Sequence, residues 1–302
     1  MSANHSSVVP PRKQRRGRDG VFHQLVRHKS GMAASVVVAV FALLAILAPM
    51  LEPHDPNVGE VASSLTGPSG AHWLGTDDLG RDVLSRVIDG TKIAIVVAVL
   101  SVVIALVIGL AIGVIAGYVG GFVDMALTRS QDVLFAFPTL LLAIILVAVL
   151  GPGLINASLA IAIVYIPRFA RIARSATLQI KTSEYLDAAK LAGVHPVVTL
   201  LRHVVPNVLP SVVVLGALSM STAQLAYASL AFLGLGVSPP QADWGSMLSE
   251  ARNFITAAPW MVFGPTVALV ALMLAFNVLG DAIRDVMDPR SDKGKGAPIP
   301  TV

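Results

Sequence analysis

The chain has 302 residues, of which 55% are hydrophobic and only 13% are charged. Because soluble globular domains carry about 25% charged residues, this composition indicates a protein embedded in a membrane. The sequence contains no cysteine, which excludes disulfides, thiol catalysis and cysteine-ligated metals. The net charge of +4 does not indicate nucleic-acid binding, since the basic residues lie beside apolar runs rather than on the face of a folded domain.

The sequence begins with a polar, basic segment over residues 1–30, which we predict to be a cytoplasmic tail. An apolar run over 31–51 follows and predicts the first transmembrane helix. A cleaved signal peptide is the alternative interpretation. It is disfavoured because the charged segment is too long and no small-x-small cleavage site precedes Pro49.

Residues 52–92 predict an extracytoplasmic loop. Five apolar residues within it would share one side of a short helix: Leu79, Val83, Leu84, Val87 and Ile88. We therefore predict an amphipathic helix lying on the outer face. The spacing of Gly75 and Gly80 is superficially similar to a phosphate-binding loop. However, Arg81 and Asp82 stand where that loop needs Lys and then Ser or Thr, so nucleotide binding is excluded here.

Residues 93–285 predict a core of five further spans, recognised as long uncharged runs that can cross a bilayer. The second span, over 93–123, carries glycines at every fourth position. Such a stripe of small residues predicts the close approach of another helix. The glycines that we assign to this packing role are Gly109, Gly113 and Gly117.

The uncharged run over 133–167 is too long for a single span. The Gly-Pro-Gly sequence at 151–153 would divide it into spans three and four, with Pro138 kinking the third. Spans five and six are predicted over 208–235 and 254–280.

The fifth span is unusually polar for a transmembrane helix. Ser221, Gln224 and Tyr227 are therefore candidates for lining a translocation path. Ordinary hydrogen bonding between helices is the competing interpretation, and for any single residue it is at least as good. Beyond the span, Trp244 is predicted to anchor the chain at the membrane interface.

A charged island lies between spans four and five. Glu184 and Asp187 place acidic groups where the dipole of a first short helix favours them. Gly193 suits a left-handed helix stop. Pro196 would open a second short helix, and Pro206 would end or kink it. We therefore predict two short helices that meet at a glycine elbow.

The distribution of charge predicts the orientation in the membrane. Six spans put both termini on one side, and the segments on that side hold 18 of the 22 Lys and Arg residues. Positive charge is retained in the cytoplasm. We therefore predict a multi-pass protein of the cell membrane in which both termini and the charged island are cytoplasmic.

The sequence shows no catalytic constellation, so we predict a transport subunit rather than an enzyme. The seven histidines lack the spacing of metal sites, and no metal site is predicted. Uphill transport would then draw its energy from elsewhere. The spans have no Asp or Glu in their middles, which favours an ATPase partner over an ion gradient. A stand-alone secondary carrier or channel is the alternative from another class.

The charged island carries Asp187-Ala188-Ala189, then Gly193, then Pro206. This pattern resembles the EAA loop of ABC-importer permeases, with Asp187 where that family usually has Glu. The resemblance implies that residues 175–207 form a coupling loop whose coupling helix docks on a cytoplasmic ATPase. The residues implied to act in coupling are Glu184, Asp187, Ala188, Ala189, Gly193 and Pro206.

Further segments resemble the C-type transmembrane subunit of the dipeptide, oligopeptide and nickel importers. They are Gly75-Thr76-Asp77 with Gly80-Arg81-Asp82, the stretch over 232–248 and the stretch over 277–290. The resemblance implies an all-α membrane protein with six transmembrane helices and the type I ABC importer permease fold. Residues 286–302 would form a second cytoplasmic tail.

The same resemblance implies import of di- or oligopeptides, with nickel or glutathione as alternative cargoes. The implied partners are a homologous B-type permease, two ABC ATPase subunits or domains, an extracytoplasmic peptide-binding protein and membrane lipid, but no nucleic acid. ATP and Mg²⁺ would be bound by the ATPase partners, and this chain would carry no cofactor.

Overall fold

The computed structural model describes residues 29–287, so the tails predicted over 1–30 and 286–302 lie almost entirely outside the described range. Within it the chain is nearly all helical, which confirms the predicted fold class. The helices are α1 (Lys29–Leu51), α2 (Val83–Val119), α3 (Gly121–Phe135), α4 (Thr139–Leu150), α5 (Leu154–Lys181), α6 (Glu184–Leu191), α7 (Pro196–Thr199), α8 (Val205–Phe232), α9 (Trp244–Ala251) and α10 (Trp260–Met287).

Five segments of the described range are long and apolar enough to cross a membrane: α1, α2, α5, the continuous helical segment Pro196–Phe232 and α10. A sixth crossing exists if α3 and α4, which meet at a 92° bend, are counted as one broken span. The kink predicted at Pro138 is therefore a full break. Because proline has no N–H and its ring clashes with the preceding turn, α3 ends at Phe135, and Pro138 precedes α4 with extended backbone.

The separate amphipathic helix predicted around Leu79 is wrong. Leu79 lies in an exposed turn, and α2 begins directly at Val83, well before the predicted start of the second span. Asp82 explains this early start, because its carboxylate accepts the backbone N–H of Ser85 at 2.8 Å and so caps the helix. The last span also differs, since α10 begins at Trp260 rather than at residue 254.

Pro206 does not end the second short helix, so of the two predicted effects only a distortion of the helix remains. α7 continues through a π-helical turn, Leu200–Val204, directly into α8. The backbone N–H of Val205 donates to the carbonyl of Leu200, one residue further back than in an α-helix. We attribute the wide turn to Pro206, since proline can neither donate an N–H to the preceding turn nor fit tightly against it.

α2 and α5 form the most extensive contact between helices in the described range. Gly109, Gly113 and Gly117 line it, and we call this row the glycine seam. A Cβ added to Gly113 would overlap the carbonyl oxygen of Ala170, and one added to Gly117 would lie 2.8 Å from Thr177 Cβ. The backbone of α2 therefore lies directly against α5, an approach that any larger residue would prevent.

Trp244 does not anchor the chain at the membrane interface as predicted. It is buried among α2, α9 and α10, and its indole Nε1 donates to the carbonyl oxygen of Val87 at 3.0 Å. A buried indole needs a partner for its N–H, and the first turns of α2 provide one.

Candidate functional site

Two short helices lie between the C-terminal end of α5 and the N-terminal end of α8. They fall within the predicted coupling loop, and we use that name below for residues 184–206. α6 is anchored by Leu186, which is fully buried in the core between α5 and α8. α6 ends at Leu191, and Gly193 adopts φ +72°, the left-handed conformation expected of a helix stop. His195 then caps α7 by accepting the N–H of Val197 on its side chain, and Pro196 occupies the first turn.

The coupling loop exposes apolar side chains that the sequence analysis did not single out. Leu191 is 89% exposed and Leu201 is 62% exposed, and Val197 lies exposed between them in the chain. An exposed cluster of large apolar residues beside charged ones is typical of a surface that contacts another protein. A signal was present in the sequence, because these residues interrupt an otherwise polar island.

The predicted coupling residues share this loop. The side chains of Glu184, Asp187 and Ala188 are exposed on α6, and Ala189 lies in the same helix. Gly193 has open space where a Cβ would be, so its conformation and not its surroundings favours glycine. Pro206 is exposed at the start of α8.

The three residues predicted to line a translocation path lie on one face of α8. Ser221, Gln224 and Tyr227 are each about 2% exposed and pack inside this chain. Among the described residues, no hydrogen-bond partner reaches Gln224 Oε1. Buried polar groups in proteins usually have a hydrogen-bond partner. This face of α8 is therefore unusual both in its number of polar residues and in its unsatisfied hydrogen-bonding capacity.

A different face of α8 borders a cavity of about 190 Å³ between α4, α5 and α8. Thr222 and Ser229 line this cavity, opposite Tyr165 of α5. Sequence reasoning did not select Thr222 and Ser229, since the period of a helix alone does not say which polar face is open.

At the other end of the molecule, the segment Gly75–Arg86 forms a buried ionic cluster rather than a surface helix. Arg81 Nε donates to Asp77 Oδ2 at 2.6 Å, and Arg81 Nη2 donates to Glu250 Oε2 at 3.0 Å. Arg86 Nη1 donates to the carbonyl of Pro56 at 3.1 Å. We call Asp77, Arg81, Arg86 and Glu250 the outer ionic cluster, after the side of the membrane that the distribution of charge predicts for them.

The outer ionic cluster binds the long loop after α1 to the start of α2 and to α9. Burial raises the pKa of Glu250, while the nearby Arg86 and Arg81 lower it to a smaller extent. Gly80 is required for the turn, because its φ is +75° and a Cβ there would overlap the carbonyl of Glu60. The Gly-Thr-Asp-x-x-Gly-Arg-Asp segment is thus a structural clasp at the outer end of α2.

Comparison with known proteins matches this chain to permease subunits of transport systems. Residues 109–293 match the family described as binding-protein-dependent transport system inner membrane component, and residues 19–68 match the N-terminal TM domain of oligopeptide transport permease C. The chain is 41% identical to the dipeptide transport system permease protein DppC of Alkalihalophilus pseudofirmus over 89% of this chain and 88% of that protein. It is also 41% identical to the glutathione transport system permease protein GsiD of Shigella flexneri over 95% of both chains.

Among solved structures, inward-facing conformations of the MetNI methionine ABC transporter share the fold. The match has a TM-score of 0.55 at 19% identity and covers 67% of this chain and 96% of that one. The outer ionic cluster, the glycine seam and the coupling loop therefore occur within the helical framework of an ABC importer permease. With the family matched over more than half of its length, the chain belongs to the binding-protein-dependent transport system inner membrane components.

Proposed function

We propose that this chain is one of two permease subunits of an ATP-driven importer that moves di- or oligopeptides into the cytoplasm. The observation that carries the proposal is the exposed apolar surface of the coupling loop, formed by Leu191, Val197 and Leu201. A surface of this kind gains stability when a partner covers it. In this proposal the partner is a separate ABC ATPase that binds ATP and Mg²⁺.

The orientation follows from the distribution of charge. If both termini and the coupling loop are cytoplasmic, the segments that contain most of the Lys and Arg residues lie on the inner side of the membrane. The outer ionic cluster then faces the extracytoplasmic side, where a peptide-binding protein would deliver cargo. A homologous B-type permease completes the pair, with the transport path between the two chains.

The cargo proposal rests on the relatives. One relative is named for dipeptide transport and another for glutathione transport, and glutathione is itself a small peptide. Ser221, Gln224 and Tyr227 remain the proposed lining of the path. Because their side chains are buried within this chain, α8 would have to move away from its neighbours before they could contact cargo. The partly hydrogen-bonded face that they form on α8 suits a cargo rich in amide groups, since peptides bring donors and acceptors that such a face lacks.

The experiment is co-purification followed by transport. The tagged full chain is expressed together with the neighbouring transport genes of its source, and the purified complex is reconstituted in liposomes. We expect one homologous permease and two ATPase chains or domains in the complex, and ATP-dependent uptake of labelled dipeptide. Uptake of Ni²⁺ in place of peptide would show that the cargo is nickel rather than peptide. Transport by the isolated chain without ATP would overturn the proposal in favour of a secondary carrier or channel.

A matched pair of variants tests the docking surface. Leu191→Asp places a charge on the coupling loop, and Val61→Asp places one on the outer loop at a similarly exposed apolar side chain. We expect Leu191→Asp to lose ATPase subunits during purification and Val61→Asp to retain them. Equal retention by both variants would contradict docking through the coupling loop.

A further inference from the structure

Two histidines that are distant in sequence converge on one carboxylate at the outer end of α2. His72 Nδ1 lies 2.9 Å from Asp82 Oδ1, and His54 Nδ1 lies 3.9 Å from the same oxygen. The two imidazole rings have their centroids 4.6 Å apart. We call His54, His72 and Asp82 the outer histidine cluster. It adjoins the outer ionic cluster but shares no residue with it.

The carboxylate of Asp82 is divided between two tasks. Its Oδ2 accepts hydrogen bonds from the backbone N–H and the hydroxyl of Ser85, each at 2.8 Å. This leaves Oδ1 directed at the two histidines. The side chain is only 1% exposed, so its orientation is fixed by the start of α2.

The two histidines are held by their backbones. The N–H of His54 donates to Ser85 Oγ at 3.1 Å, so the same hydroxyl positions both His54 and Asp82. The N–H of His72 donates to Ser69 Oγ at 3.1 Å, and its carbonyl accepts the N–H of Gly75 at 3.0 Å. These hydrogen bonds fix the backbones of both histidines close to the start of α2.

A simple hydrogen bond accounts for His72 but not for His54. His54 Nδ1 lies 3.9 Å from Asp82 Oδ1, beyond hydrogen-bonding distance, and its ring packs beside the His72 ring. The potential ligand atoms of all three residues lie within 4.8 Å of one another. Ligand atoms held at about 2.0–2.2 Å from a tetrahedral metal ion stand about 3.4 Å apart. Metal binding would therefore move His54 Nδ1 closer to Asp82 Oδ1 and move His72 Nδ1 slightly away from it.

We propose that the outer histidine cluster binds a divalent transition-metal ion of the zinc class. One ring nitrogen of each histidine and Oδ1 of Asp82 would be the protein ligands, and water would occupy a further position. Two imidazoles and a carboxylate suit Zn²⁺ better than Ca²⁺ or Mg²⁺, which prefer oxygen ligands. The His54 side chain is 42% exposed, so ions can reach the site from the outer solution.

A neighbouring group of acidic residues carries no such proposal. Asp77, Asp78 and Glu250 also lie close together, but Asp77 and Glu250 already pair with Arg81. The outer histidine cluster differs because its carboxylate, that of Asp82, contacts two histidines rather than an arginine. The site does not depend on the cargo or on the ATPase partner, so it can fail or hold independently of the transport proposal.

The test is Co²⁺ and Zn²⁺ binding to the purified full chain, which carries a tag without histidine. Co²⁺ bound by imidazole and carboxylate has visible absorption bands, and Zn²⁺ should displace it. The variants are His54→Gln and His72→Gln, which remove one ligand each. The matched control is His195→Gln, which removes a histidine from the coupling loop at the other end of the molecule.

We expect His54→Gln and His72→Gln to weaken the tightest binding step by at least about tenfold, the scale seen when even indirect contacts of a metal site are removed. The control variant should bind as the unmodified chain does. His54 is exposed in a loop, so His54→Gln should fold normally, and its thermal unfolding without metal checks this. Equal affinity and stoichiometry in the unmodified chain and His54→Gln would overturn the proposal, as would the absence of a saturable Co²⁺ spectrum.

Discussion

Arg81 and Glu250 are distant in sequence but adjacent in the structure: Arg81 Nη2 donates to Glu250 Oε2 over 3.0 Å. This bond crosses from the turn before α2 to α9. The Arg81 side chain is only 5% exposed, and it also donates to Asp77. One guanidinium therefore joins two carboxylates from separate parts of the chain, in a place where an unpaired charge would be poorly solvated.

We predict that Arg81→Met strongly destabilises the protein. It removes one of the two guanidinium groups that Asp77 and Glu250 share, since Arg86 also lies 3.5 Å from Asp77 Oδ2 and 3.6 Å from Glu250 Oε2. The loss of one partner from a buried ion pair costs up to about 3–5 kcal/mol. The control is Arg129→Met, whose side chain is 81% exposed beside Asp132 and whose loss should cost at most about 1 kcal/mol. Unfolding in detergent followed by circular dichroism measures both. A similar midpoint for the two variants would show that the outer ionic cluster contributes little.

Asp243 gives a prediction about pH. Burial raises its pKa, while hydrogen bonds from Ser246 lower it to a smaller extent. The pKa of Asp243 in the folded chain is above the ordinary value of about 3.9. The protonated Asp243 side chain therefore contributes its full stability to the fold at pH values below about 3.9. This contribution is lost as the pH rises through the folded pKa.

Asp243→Asn should therefore gain stability relative to the unmodified chain as the pH rises above about 4. Asn still accepts the Ser246 N–H, so the cap of α9 is kept. Asp243→Ala removes the cap as well as the charge, so it should be less stable than Asp243→Asn by about 1 kcal/mol or more at every pH. The measurement is the midpoint of thermal unfolding between pH 4 and pH 8. A difference between Asp243→Asn and the unmodified chain that is constant with pH would contradict this assignment.

The glycine seam predicts the effect of Gly113→Leu. The new side chain would overlap the backbone of α5, where a Cβ alone lies 2.6 Å from Ala173 Cβ. Overpacking of this kind costs about 1–3 kcal/mol or more, and the helices would separate. Ala111→Leu is the control, since Ala111 is exposed on the same helix. Size-exclusion profiles and melting temperatures in detergent would distinguish the two, and equal behaviour would refute tight packing at Gly113.

Gly193 tests the geometry of the coupling loop. Its φ is +72° and no atom of the structure obstructs a side chain there, so substitution acts through the backbone alone. Gly193→Val should disfavour the left-handed conformation by about 1–2 kcal/mol or more, whereas Gly193→Asn adopts it more readily. We expect normal membrane insertion in both variants, with peptide uptake lost in Gly193→Val and largely retained in Gly193→Asn. Wild-type uptake by Gly193→Val would show that the angle between α6 and α7 is unimportant.

The sequence predicted elements where one local property decides the structure. Uncharged runs locate the spans, the Gly-Pro-Gly sequence at 151–153 separates α4 from α5, and Gly193 has the conformation expected of a helix stop. These features depend on hydrophobic length or on backbone freedom, which a residue carries wherever it lies. The coupling loop could therefore be located from the sequence, together with its helix starts.

The sequence failed where distant partners decide the structure. Trp244 looked like an interface anchor until the carbonyl of Val87 was found to accept its N–H. Leu79 looked like one face of a helix, but the capping carboxylate of Asp82 begins α2 after it. His54 and His72 have no motif spacing, because the turn that brings them together is closed by Ser85 and the start of α2. Such pairings follow from the folded chain and not from periodicity.

The parallel contact of α2 with α5 also bears on how motion crosses the molecule. At Gly109, Gly113 and Gly117 the backbone of α2 lies directly against α5, because these residues have no side chain to separate the two helices. α5 leads into the coupling loop at its C-terminal end, and α2 begins next to the outer ionic cluster. If the coupling loop binds an ATPase as proposed, a displacement of α5 would move α2 with it at this contact.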